Sequence, residues 1–311
     1  MNIDQYLWVE RYRPKTISDC ILPVELKQTF QSMVEKGEIL NLTLAGASGV
    51  GKTSVARALC EELGLEYIVI NGSKDSGIDT LRNDVVGFVS TVSMEGTTKV
   101  VILDEADRLT APMQAALRGV IEEFASTSRF ILTCNHKNKI IPAIHSRTAV
   151  IDFVIPKAER PKLAAKFMER VKAILTENGI SFNDKVLVPL VTRYFPDFRR
   201  TLGELQRYSV SGTIDEGILA NATDINLKGL SDALREKDFT KMRTWIVNNL
   251  DNDVQVLFRK IYEIIGEQVT DLPGFVLVLN KYQFQSTWAV DQEVNLVAFC
   301  VEIMADFDFK E

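Results

Sequence analysis

The run Gly46-Ala47-Ser48-Gly49-Val50-Gly51-Lys52-Thr53 has the spacing Gly, four residues, Gly-Lys-Thr, which lets backbone N–H groups converge on phosphate oxygens. Small residues allow the chain to curl into a concavity lined by amides. Lys52 supplies a mobile positive charge for the outer phosphates, and the Thr53 hydroxyl suits Mg²⁺. The chemistry implied is the binding of ATP or GTP. A second group, Leu103-Asp104-Glu105-Ala106-Asp107, runs an apolar stretch straight into adjacent carboxylates. At the C-terminal edge of a sheet, where such sheets place ligands, Asp104 could hold the metal through water. Glu105 could then orient or deprotonate an attacking water. Asn135 follows another apolar stretch and could bond both a γ-phosphate and that water. By itself an Asn after a strand is a turn former, and its meaning comes from the set.

These residues need a scaffold, and the apolar pattern supplies one. Leu40, Leu42, Leu44 and Ala45 read as a buried strand before the phosphate loop, and residues 54–63 as a helix with Val55, Ala58 and Leu59 on its apolar side. That order, strand, loop, helix, aims a helix N-terminus at the anion. Further strands are expected at 66–70, 99–103, 129–133 and 150–155, with a helix from about 78 to 94. Short apolar strands alternating with helices imply a parallel sheet covered on both faces, an α/β nucleotide-binding domain. After Pro156 the pattern turns helical, at 157–177, 184–194 and 198–209, with no further strand expected. Helical patterns resume at 227 and include 254–265 and 290–304. The expected domains are 1–156, 157–224 and 225–311. Val290, Val294, Val297 and Val301 read as a core or subunit-packing face.

Composition narrows the options. The 311 residues suggest two or three domains, and the four cysteines, Cys20, Cys60, Cys134 and Cys300, are too scattered for a zinc site or a disulfide framework. They read as reduced, buried thiols. No apolar run is long enough to cross a bilayer, and residues 1–10 do not resemble a signal peptide, so a cytoplasmic protein without membrane contact is expected. The net charge is -6, with 27 basic and 28 acidic side chains in 1–226 but 9 and 14 in 227–311. Any nucleic-acid contact must therefore be local and made within the first two thirds.

Taken together, the motifs resemble an AAA+ ATPase, with Gly46 to Thr53 as Walker A, Leu103-Asp104-Glu105 as Walker B and Asn135 as sensor 1. The resemblance implies that the fourth strand lies between the Walker A and Walker B strands. The segment Trp8-Val9-Glu10-Arg11-Tyr12-Arg13-Pro14 is similar to the Tyr-Arg-Pro signature of clamp-loader ATPases of the replication factor C type. There it wraps the adenine together with the segment matching Ile21-Leu22-Pro23. Ile144-His145-Ser146-Arg147-Thr148 resembles the Ser-Arg-Cys motif of the same family, with Thr148 in place of Cys, and the resemblance makes Arg147 a finger reaching into a neighbouring subunit's ATP site. Phe195 to Leu205 looks like the sensor 2 helix, with Arg199 on the nucleotide's phosphates. The runs Ser18 to Pro23 and Phe195 to Arg199 are similar to the phage T4-type branch of the family.

The resemblance implies an AAA+ P-loop sheet domain, a small helical lid and an all-helical C-terminal collar. It implies ATP and Mg²⁺ as ligands, with Thr53 and Asp104 on the metal. Glu105, Lys52, Asn135, Arg147 and Arg199 are the expected catalytic set, and Tyr12, Arg13, Pro14, Ile21, Leu22, Ser48, Gly49, Val50, Gly51, Lys52, Thr53, Ser54, Asn135 and Arg199 the nucleotide-binding set. Implied partners are further copies of the chain in a ring or spiral, a smaller loader subunit, a sliding clamp and primer-template DNA. Arg82, Arg108 and Arg118 are the candidate phosphate contacts on DNA, each equally readable as solvated charge. Gln114 is placed to relay DNA engagement to Glu105, and Phe88, Val89 and Met94 mark a candidate clamp contact, with core packing explaining at least Phe88 equally well. Two other readings stand beside this one. Another AAA+ DNA motor or initiator would carry a winged-helix or helix-turn-helix DNA-binding module at the C-terminus, whereas residues 227–311 are acidic, poor in Arg and unsuited to a phosphate backbone. A nucleotide-binding scaffold subunit would not need Lys52, Asp104, Glu105 and Arg147 all intact.

Overall fold

Val100, Val101, Ile102 and Leu103 are all fully buried, and the pleat of a strand sends them alternately to opposite faces. Val101 and Leu103 join one core with Phe130 and Leu132, under Val85, Met113 and Leu117 of the covering helices. Val100 and Ile102 join the other with Ile131, Leu42 and Leu44, under Phe30 and Leu59. A strand buried on both faces has to be apolar throughout, and this is why the sequence shows runs rather than alternation.

The computed structural model describes residues 7–73, 78–91, 98–210, 212–214, 227–250, 252 and 254–310, and the side chains of 78–82 lie outside that description. The chain divides into two units, 1–219 and 220–311. In the first, a parallel sheet is formed by β1 (Leu42–Ala45), β2 (Tyr67–Asn71), β3 (Lys99–Asp104), β4 (Ser128–Cys134) and β5 (Ala149–Asp152), in the order β2-β3-β4-β1-β5. The helices α1 (Trp8–Arg11), α2 (Val24–Lys36), α3 (Lys52–Glu62), α4 (Ile78–Val89), α5 (Ala111–Glu123) and the short α6 (Pro142–His145) accompany it. Then come α7 (Arg160–Glu177), α8 (Asp184–Tyr194) and α9 (Phe198–Ser209), which share a third core of Leu163, Phe167, Val171, Leu187, Leu190 and Leu205. Trp8 of α1 is buried in that core too, so α1 packs on the helical layer, while Ile17, Cys20 and Leu22 after it join the core on the sheet.

Several expectations are corrected. Leu40 precedes β1 and is 55% exposed, so the strand is shorter than the apolar spacing implied. Helix α3 starts at Lys52 rather than 54, because Gly51, in the left-handed region at φ 95°, ends the loop and lets the helix begin on the next residue. A strand pair does occur beyond Pro156: β6 (Ser181–Phe182) pairs in parallel with β7 (Thr213–Ile214). Two residues per strand are too few to show a period. Helix α4 ends at Val89, and Met94 lies outside the described residues.

The second unit contains α10 (Leu227–Arg235), α11 (Phe239–Val247), α12 (Val254–Ile264), α13 (Leu272–Ser286) and α14 (Gln292–Asp306), around a core that includes Phe258, Phe275, Leu296, Phe299 and Ile303. Its α14 buries the face bearing Leu296, Phe299, Cys300 and Ile303. The valine stripe is therefore not the core face: Val290, Val294 and Val301 are exposed, and only Val297 packs on the core. The Asp291 carboxylate caps the helix by accepting from the Glu293 and Val294 amides. All four cysteines are free and buried, and burial pushes the thiols of Cys20, Cys60 and Cys300 up to about 12. Among the described residues, no helix is long and apolar enough to cross a membrane.

Candidate active site

Strand register sets the site. Ala45 of β1 lies beside Cys134 of β4, so the phosphate loop leaves β1 next to Asn135. Leu103 of β3 lies beside Leu132 of β4, so Asp104 ends up next to Thr133. Because β4 sits between β3 and β1, three chain segments far apart in sequence meet at one sheet edge. Thr53 Oγ1 donates to Asp104 Oδ1 at 2.7 Å, and the Thr133 hydroxyl donates to the same oxygen. The Glu105 amide in turn donates to Thr133 Oγ1 at 3.2 Å.

Lys52 is only 8% exposed, and its ammonium is held by Gly46 O at 2.8 Å, Ala47 O at 2.7 Å and Asn135 Oδ1 at 3.0 Å. Burial lowers its pKa; Cys134, Asp104 and Asp107 nearby pull it back up, and Arg199 adds to the fall. All three of its acceptors are neutral, so an anion entering the loop offers it a stronger partner. Gly49 and Gly51 take positive φ, 76° and 95°, which turns the loop as the phosphate cradle requires. A Cβ on Gly49 would lie 1.9 Å from Asp197 Oδ1. Gly49→Ala is thus expected to cost about 1–2 kcal/mol in backbone strain and to push the start of α9 off the loop. A lowered melting temperature together with weakened nucleotide binding would register both effects.

The pocket above this edge is lined by Tyr12, Arg13, Pro14, Ile21 and Leu22, by Ser48 to Ser54, and by Asp104, Glu105, Asn135 and Arg199. Every expected nucleotide-binding residue therefore faces one cavity. Its far wall comes from the helical layer: Phe167, Arg170 and Ile174 of α7, and Phe198 and Leu202 of α9. The Phe167 and Phe198 rings meet edge to face at 4.7 Å, a contact worth about 1 kcal/mol beyond burial. Backbone bonding joins this wall to the loop, with the Phe198 amide donating to Gly49 O at 3.1 Å. The N-terminal segment is fastened at several points. Arg13 bridges Glu10 and Ser54 Oγ, and Asn178 Nδ2 donates to the Tyr12 hydroxyl at 2.7 Å. Thr53 and Asp104 suit Mg²⁺, which takes one or two protein oxygens and completes its shell with phosphate and water. An apolar wall, an amide-lined loop and a buried ammonium suit a nucleoside triphosphate.

Glu105 adopts the left-handed conformation, φ 55° and ψ 42°, unusual for a residue with a Cβ and the kind of strain found at functional sites. Its carboxylate pairs with Arg108 at 3.1 Å. Arg108, expected as a phosphate contact, is exposed and engaged by this pair, while Arg118 is exposed on α5. The Arg82 side chain lies outside the described residues. Arg147 is not among the pocket-lining residues; it pairs with Glu122 at the end of α5. Thr148, in place of Cys, shares a 2.8 Å hydroxyl–hydroxyl bond with Thr43 of β1. Gln114 is buried, with Nε2 donating to Leu109 O and Lys139 O at 3.0 Å each and Oε1 accepting from the Ile141 amide at 2.8 Å. It ties the turn after Glu105 and the loop after Asn135 to α5. Val89 is 5% exposed in the core, which removes it as a clamp contact; Phe88 packs partly on the same core, its ring 4.7 Å from the Lys99 ammonium.

Sequence reasoning missed Thr133, Asp107, Phe167, Arg170 and Phe198 as site residues. Asp107 Oδ2 accepts from the Asn135 and His136 amides and so shapes the turn that carries Asn135. A hydroxyl closing an otherwise apolar strand was the available signal for Thr133. For Phe167, Arg170 and Ile174 the signal was i, i+3, i+7 spacing, which places them on one helix face without saying what that face meets.

Comparison with known proteins agrees with this geometry. Residues 42–155 match the ATPase family associated with various cellular activities (AAA), and 159–220 match the family described as sliding-clamp-loader large subunit, AAA+ ATPase lid domain. The sliding-clamp-loader large subunits of Escherichia phage RB69 and Enterobacteria phage T4 are 37% and 36% identical over 289 residues, 86% of this chain and 90% of each relative. The replication factor C small subunit of Methanosphaera stadtmanae is 30% identical over 310 residues, covering 97% of this chain and 91% of that one. Among solved structures, the Thermotoga maritima RuvB Holliday junction branch migration motor superposes with a TM-score of 0.55 at 18% identity, over 81% of this chain and 80% of that one, a likeness of fold. These relatives cover 86–97% of the chain at 30–37% identity, and with the two family matches they show that the chain belongs to the AAA+ clamp-loader ATPases, among the sliding-clamp-loader large subunits.

Proposed function

We propose that this clamp-loader ATPase works as one of several copies in a ring or spiral, with a smaller subunit, that opens a sliding clamp and loads it onto primer-template DNA. One observation carries the reading: the pocket gathers every expected catalytic side chain except Arg147, which is held at the surface outside it. A site lacking its finger is completed by a second copy. ATP binding would then require the Lys52 ammonium to exchange loop carbonyls for phosphate oxygens, with Tyr12, Ile21, Leu22, Phe167 and Phe198 around the base. Thr53 and Asp104 would hold Mg²⁺, which neutralises phosphate charge.

Glu105 takes the proton of the attacking water as its oxygen bonds the γ-phosphorus and the bond to the β-phosphate oxygen breaks, giving ADP and phosphate. To do so, its carboxylate must leave Arg108. Asn135 orients the water from the β4 end, and Arg199 meets the phosphates from the lid. Gln114 is positioned to pass DNA engagement to the loop bearing Glu105, since it bonds the turn that follows and the loop after Asn135. DNA contacts are assigned to Arg82, Arg108 and Arg118, and contacts to phosphates carry no base sequence, so loading should be sequence-tolerant and salt-sensitive.

The test is ATP turnover by the full chain with partner subunit, clamp and primer-template DNA. Stimulation by clamp and DNA together is expected, and its absence overturns the loader reading. Arg82→Ala is expected to weaken DNA stimulation severalfold with basal hydrolysis preserved; loss of both would mark a folding defect instead.

A further inference from the structure

Glu122, near the end of α5, has no place in the nucleotide pocket, yet it holds the one catalytic candidate that lies outside it. Arg147 Nε donates to Glu122 Oε1 at 2.7 Å, and Nη2 donates to the same oxygen. Nη1 donates to Ala143 O at 2.6 Å and Ser146 Oγ at 2.9 Å. Four of the five guanidinium N–H groups are thereby engaged. The backbone beside the side chain is fastened as well, because Thr148 Oγ1 donates to Ile144 O at 3.2 Å and bonds Thr43 of β1. The loop is fixed by these bonds, and the plane of the guanidinium is fixed by Glu122 on the Nε–Nη2 edge together with Ala143 O and Ser146 Oγ at Nη1. An unrestrained Arg side chain would sample many rotamers and lose that freedom on meeting a phosphate.

We propose that Glu122 is the positioning residue of the Arg147 finger: its Oε1 presets the guanidinium so that a neighbouring copy's γ-phosphate meets it already oriented. The inference rests on the reading of Arg147 as a finger acting between subunits. The pair is suited to orienting rather than blocking. The two side chains are 31% and 47% exposed, so water screens their attraction, and a triphosphate carries more charge than one carboxylate. Glu122 stands on the same helix as Gln114, eight residues or about 12 Å further along. The finger is therefore aimed by the helix that Gln114 ties to its own subunit's catalytic loops.

The experiment compares Glu122→Ala and Glu122→Gln, each alone and with Arg147→Ala, in the assembled complex by single-turnover and steady-state ATP hydrolysis. Glu122→Ala is expected to lower kcat about tenfold with KM for ATP changed by less than about twofold, since a misaimed group acts on the transition state. Glu122→Gln should restore most of the rate, because both donors use one oxygen and an amide oxygen can replace it. In the Arg147→Ala background, Glu122→Ala should have no further effect. A faster Glu122→Ala enzyme would mean that the carboxylate restrains the finger, and an equal loss in the Arg147→Ala background would mean a structural role; either overturns the proposal. Glu122→Gln as slow as Glu122→Ala, or a silent Glu122→Ala, also overturns it while leaving the finger standing. Arg147→Ala at the wild-type rate removes the finger and this inference together.

Discussion

Arg147→Ala is expected to lower ATP turnover by the assembled complex about 10³-fold or more, the scale on which an arginine finger acts. Affinity of the isolated chain for ATP should not change, because Arg147 does not line the chain's own pocket. Stability should change little: the pair with Glu122 is partly exposed, and after screening such a pair is worth at most about 1 kcal/mol. This combination of intact binding, intact folding and lost turnover is hard to produce by any other role. Single-turnover hydrolysis by the complex, with nucleotide titration of the free subunit, measures the two sides separately. A normal rate in the assembly removes the finger, and lost affinity in the free subunit would place Arg147 in the chain's own site.

The second large effect is expected at Glu105. Glu105→Gln keeps the size and the backbone placement of the side chain but cannot accept a proton, so hydrolysis should fall by about 10²–10⁴-fold. Binding should survive, since Lys52, Thr53 and the loop amides are untouched. The ATP-bound assembly should then accumulate, which mass measurement of the complex in ATP would detect. Glutamine also weakens the attraction to Arg108 that holds the carboxylate aside. If nucleotide affinity disappears instead, Glu105 belongs to the groups that hold the nucleotide and the water-activating role is wrong.

The readable parts of the site are those whose physics is local. The phosphate loop is a contiguous run, so the amide cradle, Lys52 and Thr53 could be read directly, as could the carboxylates ending an apolar strand. Helix positions beyond Pro156 agree closely, because an amphipathic helix repeats its signal over many residues, as α8 and α9 do. Two residues of β6 and two of β7 repeat nothing. The valine stripe shows a different limit. Helix α14 is apolar on more than one face, and periodicity cannot tell which face the rest of its unit will cover.

From the sequence alone, then, came the nucleotide chemistry, the parallel α/β domain that carries it and the list of side chains able to act on a triphosphate. Only the tertiary structure decided which of them meet. Strand order put β4 between β1 and β3 and so brought Thr133 to Asp104 and Asn135 to Lys52. The packing of α7 and α9 formed the pocket's far wall and brought in Arg170. Charge pairing set Arg108 against Glu105 and Glu122 against Arg147. The physical reason is range: a turn and a helix face are determined by neighbours along the chain, whereas hydrogen bonds and ion pairs join whatever the sheet and helix packing places within about 3 Å.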